Sequence, residues 1–330
     1  MPDAPTAVQY GVGPIGSRVV QTAVDRGYEF VGAVDVDQDK VGKDLGTVTG
    51  IDELGVDITD NPEAALSAGP DVVFNSTVSD LGTVRPQVEA AMAAGADVVS
   101  TCKEMAYPWR ANPEEAAALD ETAREQGQTC LGTGINPGFA MDVLPAVLTG
   151  ANRRVDSVSV ERVQDAADRR GPLQAMIGAG LEVDAFEAKI ALEAGHVGLP
   201  ESVAMLGDAL GWGLGSIGET IEPVVADERV ESDHVTVEAG QVAGIHQVAT
   251  GTVDGETRIE VDLSIYLGAP DPHDEIRIEG MPDVHSIVEG GFPGDVATAA
   301  VAVNVMPSVR DADPGLITML DVPLPTFQER

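Results

Sequence analysis

Aromatic side chains are scarce. They make up 4% of the 330 residues, so the cores must be built from Val, Ala, Leu and Ile. Cysteine is scarcer still, with two residues, Cys102 and Cys130. That excludes a disulfide framework or a cysteine-rich metal site and reads as two ordinary buried thiols in a reducing compartment. No stretch approaches the ~20 consecutive apolar residues of a membrane helix. The start, "MPDAPTAVQY", lacks a basic segment followed by an apolar run, so no signal peptide is expected and the chain reads as cytoplasmic. Positive charge is also short: 19 basic residues against 55 acidic give a net charge of −36. Such a surface repels phosphate backbones, so nucleic acid is a poor partner. The carboxylates are spread along the chain among periodic apolar positions, which argues against disorder. They suit a halophile's surface, kept hydrated in concentrated salt. The 330-residue length accommodates two domains.

Glycine is plentiful, and one cluster carries chemistry. In "AVQYGVGPIGSRVVQTAVDRGYEFVGAVDVD" (7–37), a strand ends at Tyr10, a helix carries Ile15, Val19, Val20 and Ala23, and a second strand ends before Asp35. A bare GxGxxG is a weak signal, but this strand–loop–helix–strand context is that of a dinucleotide site. Gly11 permits the tight turn, Gly13 lets the backbone approach a pyrophosphate, and Gly16 lets the helix pack on the strand. Pro14 fits the first helical turn, and the free amides around Ile15 favour an anion. Asp35, 24 residues after Gly11, is spaced to accept from an adenosine ribose. Its charge, with Asp37 and Asp39, disfavours a 2′-phosphate, whereas Lys40 and Lys43 could still reach one. NAD is favoured and NADP stays open.

The first 135 residues alternate apolar strands with amphipathic helices. "DVVFNST" (71–77), "ADVVSTC" (96–102) and "TCLGTG" (129–134) are compact apolar strands. Six strands of this kind predict a doubly wound parallel sheet of the Rossmann type. Thr77, at the carboxyl end of one of them, joins the cofactor set. After about residue 150 the rhythm changes. "RVDSVSVERV" (154–163) and "HQVATGTVDGETRIEVDLSIYLG" (246–268) alternate polar and apolar residues, with a hairpin signal at Asp254-Gly255. Helices are expected over 182–194 and 201–210. The expected fold is α/β. A Rossmann domain over 1–140 is followed by an α+β domain with a mainly antiparallel sheet over 141–293. A C-terminal helix and tail, 294–330, packs back on the first domain.

"STCKEMAYPW" (100–109) begins at a strand's carboxyl end, where such sheets bind ligands, and places Glu104 there as a candidate acid or base. "SVERVQDAADRRGPLQ" (159–174) holds Arg162, Arg169 and Arg170, three donor-rich side chains able to grip a substrate carboxylate. Arg162 shares strand parity with Val158 and Val160, so it points inward. Its partner is then a carboxylate of the protein or of a ligand, the former favoured. The five histidines show no metal-ligand spacing, and no metal is expected.

Several longer blocks occur in order: "GVGPIG", "STCKEMAYPW", "GTGINPGFAMD", "RVQDAADRRGPLQ", "AGHVGLPES" and "GDVATAAVAVN…PGLITMLDVPLP". Together they resemble the 2,4-diaminopentanoate dehydrogenase-like family, which includes the native amine dehydrogenases. The nucleotide-binding half is similar to that of dihydrodipicolinate reductase. The resemblance implies reversible NAD(P)-dependent oxidative deamination of a small amine or amino acid in a homodimer. It puts the catalytic carboxylate on Glu104 and brings Asn136, Pro137 and Gly138 beside the nicotinamide, with Asn136 also toward the substrate. Lys103 departs from the family, where an acidic residue often stands. The histidine pair with a following lysine and the SGT-type loop of dihydrodipicolinate reductase are not present. Reduction of a C=N bond, or nucleotide sensing without catalysis, are the alternative readings.

Overall fold

A computed structural model describes residues 4–327 apart from 168 and 194. The chain divides into two compact units: one runs to Phe139 and resumes at Pro293, and the other spans Ala140–Phe292.

In the first unit, strands and helices alternate. They are β1 (Thr6–Tyr10), α1 (Pro14–Asp25), β2 (Glu29–Val34), α2 (Leu45–Thr49), β3 (Ile58–Thr59), α3 (Pro62–Leu66), β4 (Val72–Asn75), α4 (Leu81–Ala93), β5 (Asp97–Ser100), α5 (Pro113–Gln126) and β6 (Thr129–Gly132). The second unit contains α6 (Val143–Leu148), β7 (Arg154–Asp165), α7 (Gly171–Met176), α8 (Val183–Glu193), α9 (Leu199–Ala209), β8 (Ser216–Val225), a small hairpin β9 (Val230–Glu231) and β10 (Thr236–Val237), β11 (Val242–Val253), β12 (Glu256–Tyr266), β13 (His273–Met281) and β14 (Val284–Glu289). The chain then returns to the first unit with α10 (Gly294–Arg310) and β15 (Gly315–Ile317).

The first sheet is wholly parallel, in the order β15-β6-β5-β4-β1-β2-β3. Its strands are short and buried on both faces, which is why β4, β5 and β6 read as unbroken apolar runs. Leu81, Val84, Val88 and Met92 of α4 and Leu119 of α5 fill one side with Val73 and Val98. On the other, α10 packs on α1 and on β5. Six strands were expected from the sequence. The seventh, β15, adds beyond β6 at the edge, in a stretch expected to be tail. Three residues carry too little periodicity to announce a strand.

The second sheet is mixed, in the order β14-β13-β7-β12-β11-β8. Its ladders are antiparallel except for β12 with β7, which run parallel. Asp254 (φ 52°) and Gly255 (φ 84°) make the two-residue turn between β11 and β12 in the left-handed conformation that the dipeptide predicts. Ile259, Val261, Leu263 and Ile265 turn to the covered face, against which α9 packs, with Val203 close to Gly251 of β11. The opposite face is polar. The sequence reading missed β8, β13 and β14, whose apolar residues are interrupted irregularly by Gly, Pro and charged or polar side chains. Of the helix expected over 182–194, the last residue lies outside those described.

Candidate active site

The glycine loop is built as its spacing demands. Gly11 follows β1 with φ +86°, and a Cβ there would lie 2.6 Å from the Ser76 carbonyl oxygen. A Cβ on Gly16 would collide with the Gly11 carbonyl oxygen, so the first turn of α1 sits directly on the loop. Pro14 opens α1, Gly13 is its extended N-cap, and Ile15 follows in the first turn. The loop is tied to the end of β2: Gly11 N donates to Val34 O at 2.7 Å and Val12 N to Asp35 Oδ2 at 2.8 Å. Gln9, buried in β1, adds a bond from Nε2 to Gly11 O at 2.9 Å. No sequence pattern pointed to Gln9.

Asp35 is held on three sides. Oδ1 accepts from Asp37 N at 2.9 Å, and Oδ2 accepts from Val12 N and from Lys40 Nζ at 3.2 Å. Burial pushes its pKa up, but these bonds and the Lys40 charge outweigh it and hold the carboxyl below its ordinary value. Lys40 also pairs with Asp37 at 3.4 Å.

The segments after β4 and β5 are sewn together at the carboxyl edge of the sheet. Ser100 Oγ donates to Asn75 Oδ1 at 3.0 Å, Cys102 N to Ser100 Oγ at 3.1 Å, and Glu104 N to Ser79 O at 3.3 Å. Gln87 of α4 stands behind this edge, accepting from Asn75 Nδ2 and Thr77 Oγ1, both at 2.8 Å. Glu104 Oε2 in turn accepts from the Leu81 amide at 2.8 Å, in the first turn of α4. Its carboxylate thus has one oxygen fixed at a helix N-terminus, where negative charge is stabilised. Burial pushes the neighbouring Cys102 thiol up to about 12, so it stays protonated and unreactive.

After β6, Thr133 N donates to Ser100 O at 2.8 Å, and Ile135 N to Thr298 Oγ1 of α10 at 3.2 Å. Asn136 is buried beside the cis Asn136–Pro137 peptide, and Gly138 (φ +120°) completes the turn. The first unit therefore gathers the glycine loop, Asp35, Thr77, Glu104 and the 136–138 turn on strand ends of one sheet.

A nicotinamide dinucleotide fits these residues. A Cβ at Gly13 would meet nothing within 4 Å, as a backbone cradle for a pyrophosphate requires. At the same edge the hydroxyls of Ser76 and Thr133 are buried with no hydrogen-bond partner among the described residues, and a bound ligand would satisfy them.

The three arginines of the second unit differ in their surroundings. Arg162 on β7 is 2% exposed, with Nη1 at 2.5 Å from Asp274 Oδ1 and Nη2 at 2.6 Å from Phe292 O. Burial lowers its pKa and Asp274 opposes that. The protein carboxylate expected as its more natural partner is Asp274, so Arg162 is corrected from a substrate grip to a pillar of the sheet. Two of its nitrogens are spent on protein oxygens. Arg169 Nη1 donates to Gln164 Oε1 at 3.1 Å, and Gln174 Nε2 clasps the same turn at the carbonyls of Ala166, Ala167 and Arg169. Arg170 is the N-cap of α7 and half-buried. The His196 backbone is held by Gln247, which accepts from its N at 2.7 Å and donates to its O at 2.9 Å.

Residues 139–329 match the model of the 2,4-diaminopentanoate dehydrogenase C-terminal domain, more than half of the chain. The chain belongs to the 2,4-diaminopentanoate dehydrogenase family. Residues 8–125 match the N-terminal domain of dihydrodipicolinate reductase. Over 96% of its length the chain is 32% identical to 2,4-diaminopentanoate dehydrogenase of Acetoanaerobium sticklandii, covering 92% of that protein. It is 29% identical to an amine dehydrogenase of Streptomyces virginiae, over 86% of each. Among solved structures, the amine dehydrogenase from Mycobacterium smegmatis superposes with a TM-score of 0.90 at 27% identity, over 100% of this chain and 99% of that one. This member of the family keeps its glycine loop, Asp35 and Glu104 on one parallel sheet, a dehydrogenase architecture with a nicotinamide cofactor.

Proposed function

We propose that the protein catalyses the reversible oxidative deamination of a diamino acid such as 2,4-diaminopentanoate, or of a related small amine. The observation that carries this reading is the Glu104 carboxylate, fixed by the Leu81 amide at the carboxyl edge of a dinucleotide-binding sheet. The cofactor is held by Gly11, Gly13, Pro14, Ile15, Gly16, Asp35, Thr77 and the Asn136–Pro137–Gly138 turn. When bound, the nicotinamide supplies a hydride acceptor.

Glu104 takes a proton from the substrate's ammonium, freeing the nitrogen lone pair that the carbon needs to release hydride. Glu104 passes that proton to solvent and then takes one from the water that adds to the iminium carbon. It returns this proton to the nitrogen, the C–N bond breaks, ammonia leaves, and loss of the hydroxyl proton to solvent leaves a carbonyl. In reverse, Glu104 orients ammonia against the carbonyl. Arg169 and Arg170 are the residues we assign to a substrate carboxylate, with Asn136 as a further polar contact.

NAD is the preferred cofactor in this reading, because Asp35 and Asp37 repel a 2′-phosphate. Lys40 is the residue through which NADP is admitted. The acidic surface suits a cytoplasmic homodimer working in concentrated salt, and among the described residues no helix is long and apolar enough to cross a membrane.

The test is formation of reduced nicotinamide by purified protein in molar salt. NAD and NADP are offered separately, with 2,4-diaminopentanoate, other diamino acids and simple amines. Turnover on the amines supports the reading. Cofactor binding without turnover on any of them overturns it, and oxidation of reduced cofactor by dihydrodipicolinate would install C=N reduction in its place.

A further inference from the structure

The polar face of the second sheet brings together residues that are far apart in sequence. Register sets Glu275 of β13 opposite Glu161 of β7, two carboxylates directly across a ladder. Like charges so placed are destabilising, and Arg277 and His285 compensate only Oε1 of Glu275. His273, two residues before Glu275 and on the same face, directs Nε2 at both. It lies 3.6 Å from Glu161 Oε2 and 3.9 Å from Glu275 Oε2. Neither distance is a hydrogen bond.

The surroundings fix which atoms face inward. His273 Nδ1 lies 2.7 Å from the carbonyl oxygen of Asp271, which can only accept. Nδ1 therefore carries the proton, and Nε2 is the nitrogen turned to the carboxylates. Glu275 has its side chain 9% exposed, and its Oε1 is held by Arg277 and, at 2.5 Å, by His285. That leaves Oε2 for His273. These outer partners do what outer-shell groups do at metal sites, where a histidine's second nitrogen donates to a carbonyl and each carboxylate is itself hydrogen-bonded.

We propose that Glu161, His273 and Glu275 form a binding site for a divalent transition-metal cation of the zinc or manganese kind. Their ligand atoms all lie within 4.8 Å of one another. Donors bound at roughly 2.0–2.2 Å stand about 3–3.6 Å apart around one ion. Small rotations of Glu161, the exposed member, and of the His273 ring, 3.9 Å from Glu275 Oε2, close the difference. One imidazole and two carboxylates match the borderline character of such ions, with coordination positions left for water. The ion ties β7 to β13 and neutralises the facing glutamates. None of these three residues is assigned to the cofactor or the amine, so the site is independent of the proposed reaction. The sequence did not reveal it because its ligands come from strands more than a hundred residues apart.

Chelator-stripped full-length protein is titrated with zinc alone by calorimetry, at about pH 8. Excess magnesium and salt occupy the diffuse acidic surface. One saturable equivalent of zinc per chain is expected, with affinity at least roughly tenfold weaker in His273→Ala and in Glu161→Gln. His246→Ala removes a histidine that faces Asp262 elsewhere on the same face, and it leaves zinc affinity unchanged. Glu161→Gln is conservative at an exposed position, so the fold survives it. Absence of saturable binding, or wild-type affinity in both variants, overturns the site. Histidine NMR showing His273 protonated on both nitrogens in the presence of saturating zinc would do the same.

Discussion

The backbone amide of Leu81 donates to Glu104 Oε2 at 2.8 Å, so the first turn of α4 orients the carboxylate assigned to proton transfer. Leu81 is also the first residue of that helix, where proline is tolerated, and Asp80 has the extended conformation that proline demands of its predecessor. Leu81→Pro thus deletes the donor without breaking the helix. Leu81→Ala keeps the donor and loses the same buried side chain. A hydrogen bond to a charged group contributes about 1.5–3 kcal/mol. We expect kcat of the proline variant to fall roughly tenfold or more below that of the alanine variant, with equal NAD affinity. Equal kcat in the two would show that the amide does not orient Glu104.

Glu104→Gln keeps the shape and one acceptor oxygen but cannot take a proton. Turnover on the best amine should fall by about 10²-fold or more, as loss of a general base does. NAD affinity, read by fluorescence titration, should not move. Undiminished turnover would remove Glu104 from the chemistry.

How much of this was legible beforehand depends on whether a property is local. The glycine loop, Asp35 and the Asp254-Gly255 turn are dictated by backbone conformations a few residues long, and the structure keeps each where its spacing placed it. Glu104 was legible as a residue at a strand end, but not its partner, since a backbone amide has no signature in sequence. Gln9 and Gln87 were equally silent. The strand parity of Arg162 revealed its burial, but only the sheet order could supply Asp274. The edge strand β15 and the polar strands β13 and β14 escaped notice because their pairing is decided by neighbours distant in the chain.

Cofactor choice is expected to turn on Asp35 and Lys40, which meet at 3.2 Å. Asp35→Ser removes the repulsion of a 2′-phosphate and should shift the ratio of kcat/KM toward NADP by on the order of tenfold. Lys40→Ala should lower NADP use and leave NAD little changed. If Asp35→Ser leaves the ratio as it was, the ribose end of the cofactor is read elsewhere.

Asp44 accepts from four amides, those of Thr47 (3.0 Å), Leu54 (3.2 Å), Gly55 (2.8 Å) and Val56 (3.2 Å), pinning the turn before β3 to the start of α2. The Thr47 amide foremost, against a smaller effect of burial, holds its carboxyl below the ordinary value. A carboxyl depressed in the folded state adds stability that is complete above its unfolded pKa, about 3.9, and is lost as pH falls through the folded value. Asp44→Asn should therefore lower Tm by a few degrees at neutral pH. The gap from the parent protein should close in acid, once pH has fallen through the depressed folded-state value. A gap independent of pH would mean that shape rather than charge holds the turn.

Arg162 and Asp274 carry their charges in the interior of the second unit, where each side chain is 2% exposed. Asp274 also accepts from Phe292 N at 2.7 Å, so the pair fastens the segment that follows β14 as well as joining β7 to β13. Removing one partner strands the other charge away from water, a loss of about 3–5 kcal/mol. Arg162→Met should therefore cost roughly that much in urea-induced unfolding of the second unit's transition. Arg162→Met with Asp274→Leu should recover a large part of it, because no buried charge is then left alone. Single variants as stable as the parent would show that the pair is not sealed from solvent, and would return Arg162 to the residues available to a substrate carboxylate.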